Sequence, residues 1–150
     1  MKVADVMTRE VITISPEQTL EEAARMLVET GVSGIPVVED EKVVGMLSER
    51  DLLEARSEPR PPRYLELLGG IIYLDSTREF SRQLEKMTAT SVAQLMSRDV
   101  VSLSPDNSLD EAAKIIIDRG INRVPVVDGE KKLVGIITRT DVLRGIMKAD

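Results

Sequence analysis

Residues 45–51 read GMLSERD and residues 135–141 read GIITRTD: a glycine, two apolar residues, a hydroxyl, two variable positions and an aspartate, written twice ninety positions apart. Both copies follow an apolar run and precede an apolar pair, Leu52-Leu53 and Val142-Leu143. A short pattern recurring at a fixed distance points to a longer repeat around it. Working outward, residues 3–55 align with 92–145, the second copy carrying one extra residue, Lys132, and 21 of the 53 aligned positions are identical. VADVMTREVITISP at 3–16 matches VAQLMSRDVVSLSP at 92–105, and GVSGIPVVEDEK at 31–42 matches GINRVPVVDGEK at 120–131. The chain is an internal duplication.

Each copy carries the same local logic. Val11–Ile14 and Val100–Leu103 are short and apolar and are bounded by Ser-Pro, which predicts a first strand. Thr19 with Glu22, and Ser108 with Glu111, have the spacing of a capping box, in which each side chain satisfies an otherwise orphan amide at a helix start. Leu20, Ala23, Ala24 and Leu27 then fall on one helical face, as do Leu109, Ala112, Ala113 and Ile116. Gly31 and Gly120 stand where a left-handed cap ends a helix. Ile35–Val38 and Val124–Val127 predict a second strand with a proline inside it, which belongs at an edge or starts where a backbone group faces something other than a strand, because proline donates nothing to a ladder. Val43–Leu47 and Leu133–Ile137 predict a third strand, and Ser48 and Thr138 the N-caps of a closing helix. The order is β-α-β-β-α, twice, an α/β architecture. Each half alone is too small to bury a stable core, so the two are expected to pack around a pseudo-twofold axis into one module.

The repeats span 1–55 and 92–150, joined by a connecting segment at 56–91. Pro59–Pro62 is a stiff breaker there, Gly69-Gly70 a flexible one, and Ser76 with Glu79 predicts a helix near 77–87. Tyr64, Tyr73 and Phe80, all the aromatics of the chain, fall in this segment. LELLGGIIYL is too apolar for a free linker and is expected to pack within the chain or against a partner copy.

Composition narrows the function. The 150 residues contain no histidine and no cysteine, which removes the commonest general base, the commonest transition-metal ligand and thiolate chemistry together. Net charge is −6, so nucleic acid and anionic lipid are not default partners. No run is long enough to span a membrane and no signal-peptide core is present, which fits a cytoplasmic protein. No acidic metal cluster or phosphate-binding glycine loop supports catalysis.

The duplicated unit, with an apolar residue before Pro-Val and then glycine-apolar-x-Ser/Thr-x-x-Asp, resembles the tandem CBS domain (cystathionine-β-synthase-type domain) over both repeats. The resemblance implies a non-catalytic regulatory module binding adenosine-containing ligands (AMP, ADP, ATP or S-adenosylmethionine) in clefts between the repeats, with no required cofactor. It implies Asp51 and Asp141 on the ribose and Ser48 and Thr138 beside them. Thr13 and Ser102 are its first-strand hydroxyls, and Ile35-Pro36 and Val124-Pro125 its base contacts. Arg123 is the basic residue expected to meet phosphate, its counterpart being Gly34, and Arg139 is within reach of one.

The residues alone leave a second reading: an acid in the first helical turn is favoured by the dipole without any ligand. A scaffold with vestigial clefts is the alternative function. Arg123, Thr138 and Arg139 in the second copy, against Gly34, Ser48 and Glu49 in the first, predict tighter phosphate binding at Asp141, unless packing carries an arginine to the other cleft. The apolar closing helices and the connecting segment predict a homodimer, and any client protein is expected to be met in trans.

Overall fold

The computed structural model describes residues 1–57, 62–87 and 89–149. A 3-10 turn at Val3–Asp5 precedes helix α1, Leu20–Thr30; strands β1, Gly34–Glu39, and β2, Lys42–Ser48, form an antiparallel pair, and α2, Glu49–Arg56, follows. The connecting segment forms a hairpin, β3, Tyr64–Leu67, and β4, Gly70–Tyr73, then α3, Thr77–Met87. The second repeat runs α4, Val92–Leu95, α5, Leu109–Arg119, β5, Arg123–Val127, β6, Leu133–Thr138, and α6, Arg139–Ala149. Pro59 to Pro61 of the expected breaker lie outside the described residues.

The capping signals act as the sequence predicts. Thr19 Oγ1 accepts the Glu22 amide at 3.1 Å and Glu22 accepts the Thr19 amide at 3.2 Å; Ser108 and Glu111 repeat the exchange at 3.2 and 2.7 Å. Gly31 and Gly120 close α1 and α5 at φ of 68° and 61°. Only glycine holds that conformation without a Cβ penalty.

The first strands differ from expectation. Val11–Ile14 and Val100–Leu103 are not strands; each pairs at one residue, Ile14 beside Val37 and Leu103 beside Val126, in parallel. Proline is the physical reason. Ile14 donates to the Pro36 carbonyl at 3.1 Å and accepts from Val38 at 2.9 Å; the next rung toward the N-terminus needs an amide hydrogen on residue 36. Pro36 has none, and Pro125 ends the other ladder in the same way. Each proline strand therefore has a full partner on one side and only a single bridged residue on the other, which leaves a gap beside each proline.

Packing exchanges segments between the halves. Val3 and Met7 sit in one core with Leu103, Leu109, Ala112, Ile116, Val124, Val126, Ile137 and Val142. Val92, Leu95 and Met96 complete the other, with Ile14, Ala23, Leu27, Ile35, Val37 and Leu47. Reciprocal backbone bonds fix the exchange: Thr8 with Ile136, both at 2.9 Å, and Ser97 with Met46, at 2.8 and 2.9 Å. Each half is thus completed by the segment that opens the other's repeat. Near the pseudo-twofold axis Lys42 bridges Lys132, and the Leu133 amide donates to the Glu41 carbonyl at 3.0 Å.

The connecting hairpin turns at Leu68 and Gly69, both at positive φ, as a two-residue turn between twisted strands requires. Its strand residues are all exposed, so LELLGGIIYL does not bury itself within this chain. A groove lined by Tyr64, Tyr73 and Phe80 separates the hairpin from α3. Helix α3 lies beside α2, where Lys86 meets Glu54 at 2.8 Å.

Candidate functional site

Each motif hydroxyl caps the helix that follows it. Ser48 Oγ accepts the Asp51 amide at 3.2 Å, and Asp51 Oδ2 accepts the Ser48 amide at 2.9 Å and its hydroxyl at 3.0 Å. Thr138 and Asp141 repeat this at 3.2, 2.8 and 2.7 Å. The capping role read from sequence is therefore present in both copies. It occupies Oδ2 alone.

The second carboxylate oxygens diverge. Arg144 Nη1 stands 3.9 Å from Asp141 Oδ1. The aligned residue in the first copy is Glu54, which turns to Arg50 at 2.9 Å and Lys86 at 2.8 Å. Asp51 Oδ1 has no protein partner among the described residues.

Beside Asp51 opens a cavity of about 460 Å3. One wall is Ser48, Glu49, Arg50 and Asp51, where β2 passes into α2; the other is Val100, Val101 and the stretch from Arg119 to Arg123. The cavity thus lies between the repeats, at the gap that Pro125 opens by ending the Leu103 ladder. Strand alternation turns the Arg123 carbonyl toward that gap, since Pro125 and Val127 use the same edge to bond Leu103 at 3.0 and 2.8 Å.

Arg123 lies on the pseudo-twofold axis facing its own counterpart, Gly34. Its Nη1 donates to the Gly34 carbonyl at 3.0 Å and its Nη2 to the Ser33 hydroxyl. A Cβ at Gly34 would come within 3.2 Å of Arg123 Cδ and Nε, so a side chain there would require Arg123 to shift by a few tenths of an ångström. Burial pulls the guanidinium below the usual arginine range and Glu49 opposes that shift; arginine remains charged regardless. The sequence assigned Arg123 to the Asp141 cleft. The structure instead sets it beside Glu49, in the wall of the Asp51 cavity, because packing at the axis carries it across.

Of the residues read from sequence, Ser48, Asp51, Arg123 and Pro125 come together at this cavity. Thr138, Arg139 and Asp141 form the equivalent corner of the second cleft, with Pro36 at its ladder end. Ile35 and Val124 are fully buried, so their side chains face the core and only backbone is offered. Thr13 and Ser102 are exposed and outside the cavity wall, where Val100 and Val101 stand instead. The sequence missed Ser33, Asp99, Arg119 and Asn122, whose positions depend on how the halves meet.

Fold and site together define a duplicated α/β module with a cleft at the interface of its repeats. The CBS domain model matches residues 3–58 and 92–148, and the chain belongs to the CBS domain family as a tandem pair. It is 34% identical over 144 residues to an uncharacterised Methanocaldococcus jannaschii protein, MJ1232, covering 96% of this chain and 39% of that protein. It is 33% identical over 141 residues to the CBS domain-containing protein YhcV of Bacillus subtilis, covering 93% and 81%. Its structure is similar to that of Arabidopsis thaliana CBSX2 in complex with AMP, with a TM-score of 0.76, 27% identity, and coverage of 99% of this chain and 97% of that one.

Proposed function

We propose that the chain is a non-catalytic regulatory module that binds one adenosine-containing ligand per chain, in the Asp51 cleft. The observation that carries this is Asp51 Oδ1 at the wall of the cavity, without a protein partner among the described residues. A carboxylate oxygen already oriented through its partner atom suits the vicinal hydroxyls of a ribose, each bond charge-assisted. The Arg123 carbonyl and the apolar Val100 and Val101 suit a purine, and the Arg123 guanidinium suits a phosphate. The bound AMP of CBSX2 supports the same ligand class. Near Asp141, by contrast, Arg144 approaches the carboxylate. No cofactor, metal or nucleic acid enters this reading. We place the protein in the cytoplasm; among the described residues no helix is long and apolar enough to cross a membrane.

Calorimetric titration with AMP, ATP and S-adenosylmethionine tests it. One saturable site without turnover is expected. Turnover would make the chain an enzyme, and no heat with any of the three would leave a scaffold with vestigial clefts.

The same reading includes a homodimer that carries the ligand signal to a client in trans. Leu53 on α2 and its counterpart Leu143 on α6 are 68% and 59% exposed, and the hairpin adds Leu65, Leu67 and Ile72. Closed twofold pairing is the commonest way such surface is covered. Sedimentation at micromolar concentration should show a dimer with and without AMP, and a monomer in both would end the claim. Leu68→Asp or Ile72→Asp should dissociate it if the hairpin lies in the interface.

A further inference from the structure

We infer that the Asp51 cleft selects adenosyl ligands whose tail carries at most one phosphate, and that Glu49 is the residue that rejects longer polyphosphates. The inference rests on the adenosyl reading above and names the ligand within that class. Three arginines line the cavity, Arg50, Arg119 and Arg123, and three acids, Glu49, Asp51 and Asp99, so its formal charge sums to zero. A site built for a triphosphate carries an excess of cation to match the charge it removes from water.

The arginines are also committed. Arg50 holds Glu54 at 2.9 Å, Arg119 faces Asp99 at 3.9 Å, and Arg123 spends two donors on Gly34 and Ser33. Of the three, Arg123 alone bonds across to the other half, next to the start of α2. Its remaining donors, with the positive end of that helix, match a single phosphate of about −1.5 to −2 charge.

Glu49 stands first in α2, exposed to solvent and close enough to Arg123 to act on it electrostatically. A second or third phosphoryl group extending from the Arg123 subsite meets a cavity lining that also carries Glu49 and Asp99. In the second repeat the position of Glu49 is Arg139. The reversal of sign at aligned positions marks the residue that sets the tail length, since the surrounding backbone is the same in both copies.

Titration of the full chain with AMP and ATP, without divalent cation, tests the inference on the wild type and on Glu49→Gln. AMP is expected to bind the wild type at least about tenfold more tightly than ATP, and Glu49→Gln to narrow that ratio about three- to tenfold, mostly through a gain for ATP. Glu49 is exposed and contributes no side-chain capping bond, so the variant is expected to unfold at the wild-type temperature. ATP binding as tightly as AMP, or a substitution that moves both ligands equally, overturns the inference while leaving the adenosyl reading intact. Failure of both nucleotides and of S-adenosylmethionine to bind overturns the two together.

Discussion

At Asp51 one carboxylate oxygen has no partner among the described residues and stands beside a cavity, whereas at Asp141 the aligned oxygen has Arg144 at 3.9 Å. The helix starts themselves are alike: both acids cap their helix through Oδ2, with matching bonds to the preceding hydroxyl and amide. The difference arises at Gly34 against Arg123, Glu49 against Arg139 and Glu54 against Arg144. Duplication copies a backbone faithfully because caps, core and ladders all depend on it. Side chains at the shared axis are not copied as readily, since two arginines facing each other there would crowd and repel. A pseudo-symmetric body therefore supports unequal clefts.

The sharpest way to break that comparison is to strain the body at equivalent points. A Cβ at Gly45 would fall 2.5 Å from Met96 Sδ, and one at Gly135 would fall 2.6 Å from Met7 Sδ, at the two sites of segment exchange. Gly45→Val and Gly135→Val should each lose about 2–3 kcal/mol of stability in denaturant unfolding, and to a similar extent. A large inequality would mean that the two halves differ in packing as well as in their clefts.

Next in size is the ligand contact. Asp51→Ala should weaken AMP binding by about 2 kcal/mol, roughly 30-fold, through loss of a charge-assisted bond. Asp141→Ala should change it less than about threefold, although both variants lose a helix cap worth about 1 kcal/mol of stability. Calorimetry on folded variants decides between them, and the opposite order would return the ligand to the Asp141 cleft.

The smallest effect sharpens the contrast between α2 and α6. Lys86, aided by Arg50, holds the Glu54 carboxyl below its usual range, against a weaker opposing effect of burial. A depressed acid stabilises the fold above its unfolded pKa, and that contribution is lost as pH falls through the lower folded value. Wild type should exceed Lys86→Ala by about 0.5 kcal/mol at pH 7, the modest size reflecting a partly exposed pair, and the gap should close toward pH 3. A gap independent of pH would assign the effect of Lys86 to packing.

Much of the fold was legible because its signals are local. Thr19 with Glu22, Ser108 with Glu111, Gly31 and Gly120 each act within one turn of chain, and each does what its spacing implies. The first strands were not legible in full. Val11–Ile14 has strand composition, but its length depends on a partner, and Pro36 lacks the donor that the next rung needs. The hairpin at 64–73 was apolar enough to be recognised as more than a linker, while its exposure on this chain followed only from the fold.

The site divides along the same line. Ser48, Asp51, Thr138 and Asp141 were found from a motif seven residues long, because capping and acid placement are settled within one helical turn. The cavity could not be found that way. Sequence by itself determined the duplication, the capped helices, the proline-interrupted strands and the four motif residues, all products of interactions a few residues apart. Tertiary structure alone decided which half each opening segment completes, which cavity wall receives Arg123 and which aspartate is approached by an arginine. Those outcomes depend on contacts between residues about ninety positions apart, as where Arg123 reaches across to the Gly34 carbonyl and crowds the space a side chain at position 34 would need.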